Sequence, residues 1–271
     1  MKANWTVIPD LNEIDKFMTL VSEYGVAFEY NDFFDPAVYE DERETERRIE
    51  AYLKLDRDRS RDTLHGVFYD MAPLSQDRVI REHSRKLMRQ SMDIAGRLGC
   101  KGVVFHTGLL AGLNTAGYIS GWVNGMSAFL SELATDYADI EIYMENTFET
   151  YPSIFNALMD RLKEHKNIGL CLDYAHASLT DTPTDTWMEE LAPRIRHMHL
   201  NDNDLISDLH LAAGDGNIDY IKYKSLMEKY GLCSDDTDSA NDGECHTGMQ
   251  ILLEVNGIEK AKRSLEFMTG L

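Results

Sequence analysis

Six short apolar runs in this 271-residue chain end in a residue able to hold a metal or move a proton. They end at His65 (TLHG), His106 (VVFHTG), Glu145 (YMENT), Asp173 (CLDYAHA), His199 (HMHLND) and Glu254 (LLEVNG). His176 lies three residues after Asp173, and the stretch SDLHLAAGDG adds Asp208 and His210. These residues take up five of the chain's nine histidines. A lone histidine at a strand end is usually a satisfied core residue. Six ionisable or ligating ends in succession are not explained by packing. Acids gathered at one rim repel one another unless a cation offsets them. The set offers imidazole and carboxylate and no thiolate, which suits Zn, Mn, Co or Fe.

Two chemistries follow from that set. In the first, Glu145, Asp173, His199 and Glu254 hold one ion that polarises a carbonyl or hydroxyl. Glu145 and Glu254 are then the acid/base pair, removing and returning a proton at a carbon alpha to the carbonyl. His65, His106, His176, Asp208 and His210 either touch substrate or hold further metal. In the second, all of these residues hold two or three ions that activate water against a phosphodiester.

The elements that must position these groups alternate along the chain. Strands are expected at 5–8, 26–30, 62–65, 102–106, 140–145, 168–173, 195–200 and 250–254. Helical patterns fill 11–24, 42–55, 76–98 (with Gly99 as its stop), 121–137, 153–165, 184–191, 220–230 and 258–268. Strand–helix repeats without a long linker predict a single-domain α/β protein over 1–271, a (β/α)8 barrel with its site at the C-terminal mouth. A doubly wound sheet would need a Gly-rich first turn, which is absent after residues 5–8. The Gly-rich loop 107–117 reads as an active-site loop, since it lacks the Lys-Ser/Thr ending of a phosphate-binding loop. The stretch 231–248 reads as an acidic loop insertion. Trp122 and Phe68, with Tyr69, are candidate walls for a sugar ring. Asn146 and Asn201 adjoin ligands and are placed to orient them.

Composition narrows the partners. The formal net charge is −20, which opposes a polyanion and argues against nucleic acid. No apolar stretch is long enough for a membrane span. The opening residues lack an apolar signal core, which predicts a cytoplasmic protein. Cys100, Cys171, Cys233 and Cys245 form no CxxC pair and read as thiols of a reducing compartment. Nothing in the sequence argues against a homo-oligomer.

The strings TLHGVFYDMAP, VVFHTG, ENTFE, GLCLDYAHA, HMHLNDND, DLHLAAGDGNIDY and LLEVNG resemble the xylose isomerase-like barrel superfamily. That superfamily includes sugar phosphate isomerases and epimerases as well as endonuclease IV. The likeness runs from the third strand to the C-terminus. From the ketose 3-epimerase branch it implies one Mn or Co ion on Glu145, Asp173, His199 and Glu254. The two glutamates are its acid/base pair, and His176 meets the substrate. From the endonuclease IV branch it implies three Zn ions on all nine residues. Two departures favour the first branch. GVFYDMAP after His65 is closer to the isomerase-like motif, and the loop 31–39 is acidic and aromatic where a DNA-gripping loop is basic. The resemblance thus implies a metal-dependent isomerase or epimerase acting on a sugar, sugar phosphate or related polyol, with Mn, Zn or Co as the ion. The alternative is an endonuclease IV-like phosphodiesterase.

Overall fold

A computed structural model describes every residue except Lys2, Ala111 and 233–248. The acidic stretch expected at 231–248 therefore lies outside the described residues from 233 onward. The strands are β1 (Asn4–Val7), β2 (Ala27–Tyr30), β3 (Thr63–His65), β4 (Gly102–His106), β5 (Glu141–Glu145), β6 (Ile168–Asp173), β7 (Ile195–Leu200) and β8 (Gln250–Leu253). They pair in sequence order as a closed barrel. The helices are α1 (Ile14–Tyr24), α2 (Pro36–Tyr39), α3 (Glu42–Leu53), α4 (Arg78–Leu98), α5 (Ala116–Asp136), α6 (Ser153–Leu162), α7 (Tyr174–Ser178), α8 (Thr184–Leu191), α9 (Tyr220–Lys229) and α10 (Ile258–Gly270). Strand bounds match the sequence reading to within a residue or two. Among the helices, α5 starts five residues early, α1 starts and α6 stops three residues inside the expected bounds, and α2 and α7 are too short to leave a periodic pattern.

By internal contacts the chain falls into two compact units. The first comprises Met1–Phe28, Thr150–Pro152 and Cys171–Leu271. In it β1 lies parallel to β8, with Asn4 opposite Gln250 and Val7 opposite Leu253. On its other edge β8 pairs with β7, setting His197 opposite Gln250 and His199 opposite Leu252. Side chains alternate along a strand, so His197 and His199 share one face of β7. Helix α1 buries Phe17 and Leu20 and stops at Gly25, whose φ of 65° is the left-handed cap that Gly adopts without strain. It packs on α10, which buries Ile258, Ala261, Leu265 and Met268.

The second unit comprises Glu29–Glu149 and Ser153–Leu170. Its register sets His65 opposite Val104 and His106 opposite Glu145. Helix α4 is capped by Asp77, which accepts from Val79 N and Ile80 N, and it ends at Gly99 as its sequence indicates. Helix α5 begins at Ala116 rather than 121, because Thr115 caps it by accepting from Tyr118 N. The glycines at 117 and 121 masked that turn. Just before β3, Arg57 grips Asp62 through two bonds of 2.5 and 2.6 Å, and Tyr30 donates to the same carboxylate at 2.7 Å. Both partners of this ion pair are buried.

Candidate metal centre

In the second unit the register of β3, β4 and β5 converges His65, His106 and Glu145. His65 and Glu145 are buried, at 2% and 0% exposure, while His106 is partly open. His65 Nδ1 lies 3.0 Å from Gly66 O. A carbonyl only accepts, so Nδ1 carries the proton and Nε2 of the neutral ring presents a lone pair. That Nε2 is 3.4 Å from Glu145 Oε2, and His106 Nε2 is 3.2 Å from the same oxygen. Two imidazole nitrogens thus face one carboxylate oxygen, a donor set that a cation or a proton can bridge. Gly66 makes it feasible. A Cβ at this position would meet the Phe105 ring at 2.3 Å, and Gly66 N reaches Val104 O at 2.8 Å.

In the first unit the same pattern recurs with Asp208. His176 Nε2 and His210 Nε2 lie 3.3 and 3.1 Å from Asp208 Oδ2. His210 Nδ1 is held by Glu254 O at 2.8 Å, so that nitrogen carries a proton. Burial opposes the charges on this pair, and the pairing outweighs it. His176 and His210 hold the Asp208 carboxyl below the usual carboxylate range. Asp208 and Glu254 push His210 up to about 9. The His210 backbone sits at a φ of 45°, an uncommon conformation for a non-glycine residue. Around this cluster, His176 Nδ1 is 3.5 Å from Asp173 Oδ2 and His199 Nδ1 is 3.5 Å from Glu254 Oε2. Asp173 also caps α7 by accepting from His176 N at 2.7 Å, which fixes where the imidazole starts. Asp173, His199 and Glu254 are all buried.

The residues present fit a divalent ion. Each cluster supplies nitrogen and oxygen donors of the kind that Zn, Mn and Co take, and in each a carboxylate oxygen faces two imidazole nitrogens. Asn201, fully buried just beyond β7, leaves its side-chain nitrogen and oxygen without a hydrogen-bond partner among the described residues. Such a group is costly to bury, and a polar ligand would offset that cost.

Other candidates are placed as follows. Phe68 packs at 4.5 Å from Phe34, 5.1 Å from His65 and 4.8 Å from His106, between ring centroids. Tyr69 packs tilted against Phe68, 4.3 Å between centroids, and is exposed. Trp122 is 5% exposed and its Nε1 donates to Thr107 O at 3.2 Å, holding the loop after β4. Asn146 is buried directly after Glu145.

Three contributors escaped the sequence reading. Phe34 completes the aromatic wall; the aromatic loop 31–39 was its signal. Glu149 is buried, accepts from the Thr107 hydroxyl and from Thr147 N at 2.8 Å, and burial raises its pKa. Asp202, fully buried, gathers the backbone N–H groups of Asn203, Gly214, Gly216 and Ile218 at 2.9 to 3.1 Å. It thereby shapes the loop that carries Asp208 and His210. Gly216 allows this approach, since a Cβ there would meet Asn203 O at 2.3 Å.

The model of the xylose isomerase-like TIM barrel family matches residues 19–268. The chain belongs to that family. An uncharacterised protein of Methanocaldococcus jannaschii is 29% identical over 178 residues, covering 62% of this chain. The chain spans 60% of that relative's length. Among solved structures, a D-tagatose 3-epimerase-like protein has a TM-score of 0.71 at 23% identity, covering 98% of this chain and 96% of its own. The TTHB071 protein of Thermus thermophilus, soaked with ZnCl2, has a TM-score of 0.71 at 21% identity, covering 99% and 97%. At these identities the two structures share this chain's fold. Among the described residues no helix is long and apolar enough to cross a membrane.

Proposed function

We propose that the chain is a divalent-metal-dependent isomerase or epimerase of a sugar, sugar phosphate or related polyol. The observation that carries this reading is the pair of strand-end carboxylates. Glu145 and Glu254 are 0% and 7% exposed, and each has an imidazole within 3.5 Å. Glu145, Asp173, His199 and Glu254 are the proposed ligands of one Mn, Zn or Co ion. When bound, such an ion supplies Lewis-acid polarisation of a carbonyl or hydroxyl. Glu145 and Glu254 carry the proton, one taking it from the carbon alpha to the carbonyl and the other returning it. His176 is the proposed substrate contact. Phe68, backed by Phe34 and Tyr69, offers an apolar wall to the C–H face of a sugar. A net charge of −20 suits a small substrate better than a nucleic acid. The D-tagatose 3-epimerase-like structure of the same fold supports a carbohydrate substrate.

The test is epimer or isomer formation, read by NMR, from a panel of ketoses and aldoses with Mn, Co or Zn. Conversion that stops on chelation is the expected result. No conversion of any sugar with any of the three metals removes the reading.

One observation favours a second reading. His176, Asp208 and His210 form a further ligand group, in keeping with more than one zinc ion. We infer from it a metal-dependent phosphodiesterase on an abasic DNA site or a small diester. Chelator-sensitive cleavage that His106→Ala abolishes supports it. A small diester cleaved without any DNA binding at low salt confines it to small substrates.

A further inference from the structure

Beneath the residues of the proposed reaction lies a second group of ligands, of which that reaction uses only His199. Cys171 is two residues before Asp173 on β6, so both side chains take the same face of that strand. His197 is two residues before His199 on β7, with the same consequence. Cys171 Sγ and one ring nitrogen from each of His197 and His199 lie within 4.8 Å of one another. The three residues are 1%, 0% and 0% exposed. The two imidazoles are 5.2 Å apart and nearly perpendicular, at 82°. Perpendicular rings can bring their edge nitrogens toward one point, which stacked rings cannot.

We propose that Cys171, His197 and His199 form a thiolate-containing site for a thiophilic cation of the Zn(II), Cd(II) or Cu(I) class. One sulfur and two imidazoles are a soft, borderline set that hard Mn or Mg does not select. Bonds of about 2.3 Å to sulfur and about 2.0–2.1 Å to nitrogen place tetrahedral ligands roughly 3.5 Å apart. The side chains reach that spacing by moving inward by about an ångström or less. The proposal rests on this geometry and not on the reaction proposed above. His199 is common to both ligand sets, so a thiophilic ion here competes for a residue of the upper set. Excess soft metal is therefore expected to weaken Mn or Co binding at the upper set.

The test is cobalt titration of the chelator-stripped, reduced full chain, followed by absorption. A sulfur-to-cobalt charge-transfer band in the near ultraviolet is expected. Cys171→Ser removes that band while circular dichroism stays unchanged, and His197→Gln weakens cobalt binding at the band about tenfold. Cys100→Ser, buried elsewhere, leaves it in place, as does Cys233→Ser with Cys245→Ser. No band in the wild type, or a band that survives Cys171→Ser, overturns the site. Should Cys171→Ser fail to fold, zinc-edge X-ray absorption decides the matter on Cys100→Ser/Cys233→Ser/Cys245→Ser, where Cys171 is the one thiol. A sulfur scatterer at about 2.3 Å supports the site; nitrogen and oxygen alone overturn it. Loss of sugar conversion in Glu145→Gln with the band retained separates this site from the proposed reaction.

Discussion

Asp202→Asn is the most informative single change outside the ligands. The Asp202 carboxylate is fully buried and accepts four backbone N–H groups, two on each oxygen. An asparagine keeps the shape but turns one oxygen into an NH2 group aimed at two donors. If that atom takes the Oδ2 place, Gly214 N and Gly216 N lose their acceptor; if Oδ1, Asn203 N and Ile218 N do. Bonds to a charged acceptor contribute about 1.5–3 kcal/mol each. Neighbouring losses do not add fully, so the loop from 203 to 218 loses about 3 kcal/mol. That equals about a hundredfold in an opening equilibrium. Hydrogen exchange should show at least two of these amides exchanging about a hundredfold faster, with strand amides of β7 and β8 little changed. Because Asp208 and His210 ride on this loop, zinc uptake at their cluster should fall with it. Exchange within threefold of wild type, together with unchanged zinc uptake, would refute the role given to Asp202.

Two further expectations concern ionisation and stability. Asp62→Asn leaves the Arg57 guanidinium buried without its charge partner and should cost about 3–5 kcal/mol by urea denaturation; a loss under about 1 kcal/mol contradicts that reading of the ion pair. The His210 pKa is raised from 6.5 to about 9 in the metal-free protein. The stabilising contribution of its proton is then full below 6.5 and lost as pH rises through about 9. Metal competes with the same proton, so zinc affinity at His176, Asp208 and His210 should climb over that window with proton release visible by calorimetry in two buffers. Affinity that stays flat across the window argues against His210 as a ligand.

The proposed ligands stood out in the sequence because each interrupts or ends a run that burial alone would have made apolar. His65, His106, Glu145, Asp173, His199 and Glu254 occupy places where Val, Ile or Leu would otherwise continue the strand. Asp202 did not stand out. In NDND it reads as one more acid, and its four donors come from residues up to sixteen positions away. Glu149 was equally hidden, since only the approach of the Thr107 hydroxyl shows that it is buried rather than solvated. The pairing of Cys171 with His197 and His199 depends on strand alternation and neighbour order together. Helices α2 and α7 are four and five residues long, too short to repeat a 3.6-residue pattern.

The central claim is proton transfer by Glu145 and Glu254 at a carbon next to a carbonyl. Incubating the metal-loaded protein with a ketose or aldose in deuterium oxide tests it most directly, with deuterium at the alpha carbon followed by NMR. The expected result is wash-in by the wild type that Glu145→Gln and Glu254→Gln each abolish while the folded state and metal content persist. Wash-in that continues undiminished in both variants, or its absence from every sugar that binds, would contradict the account.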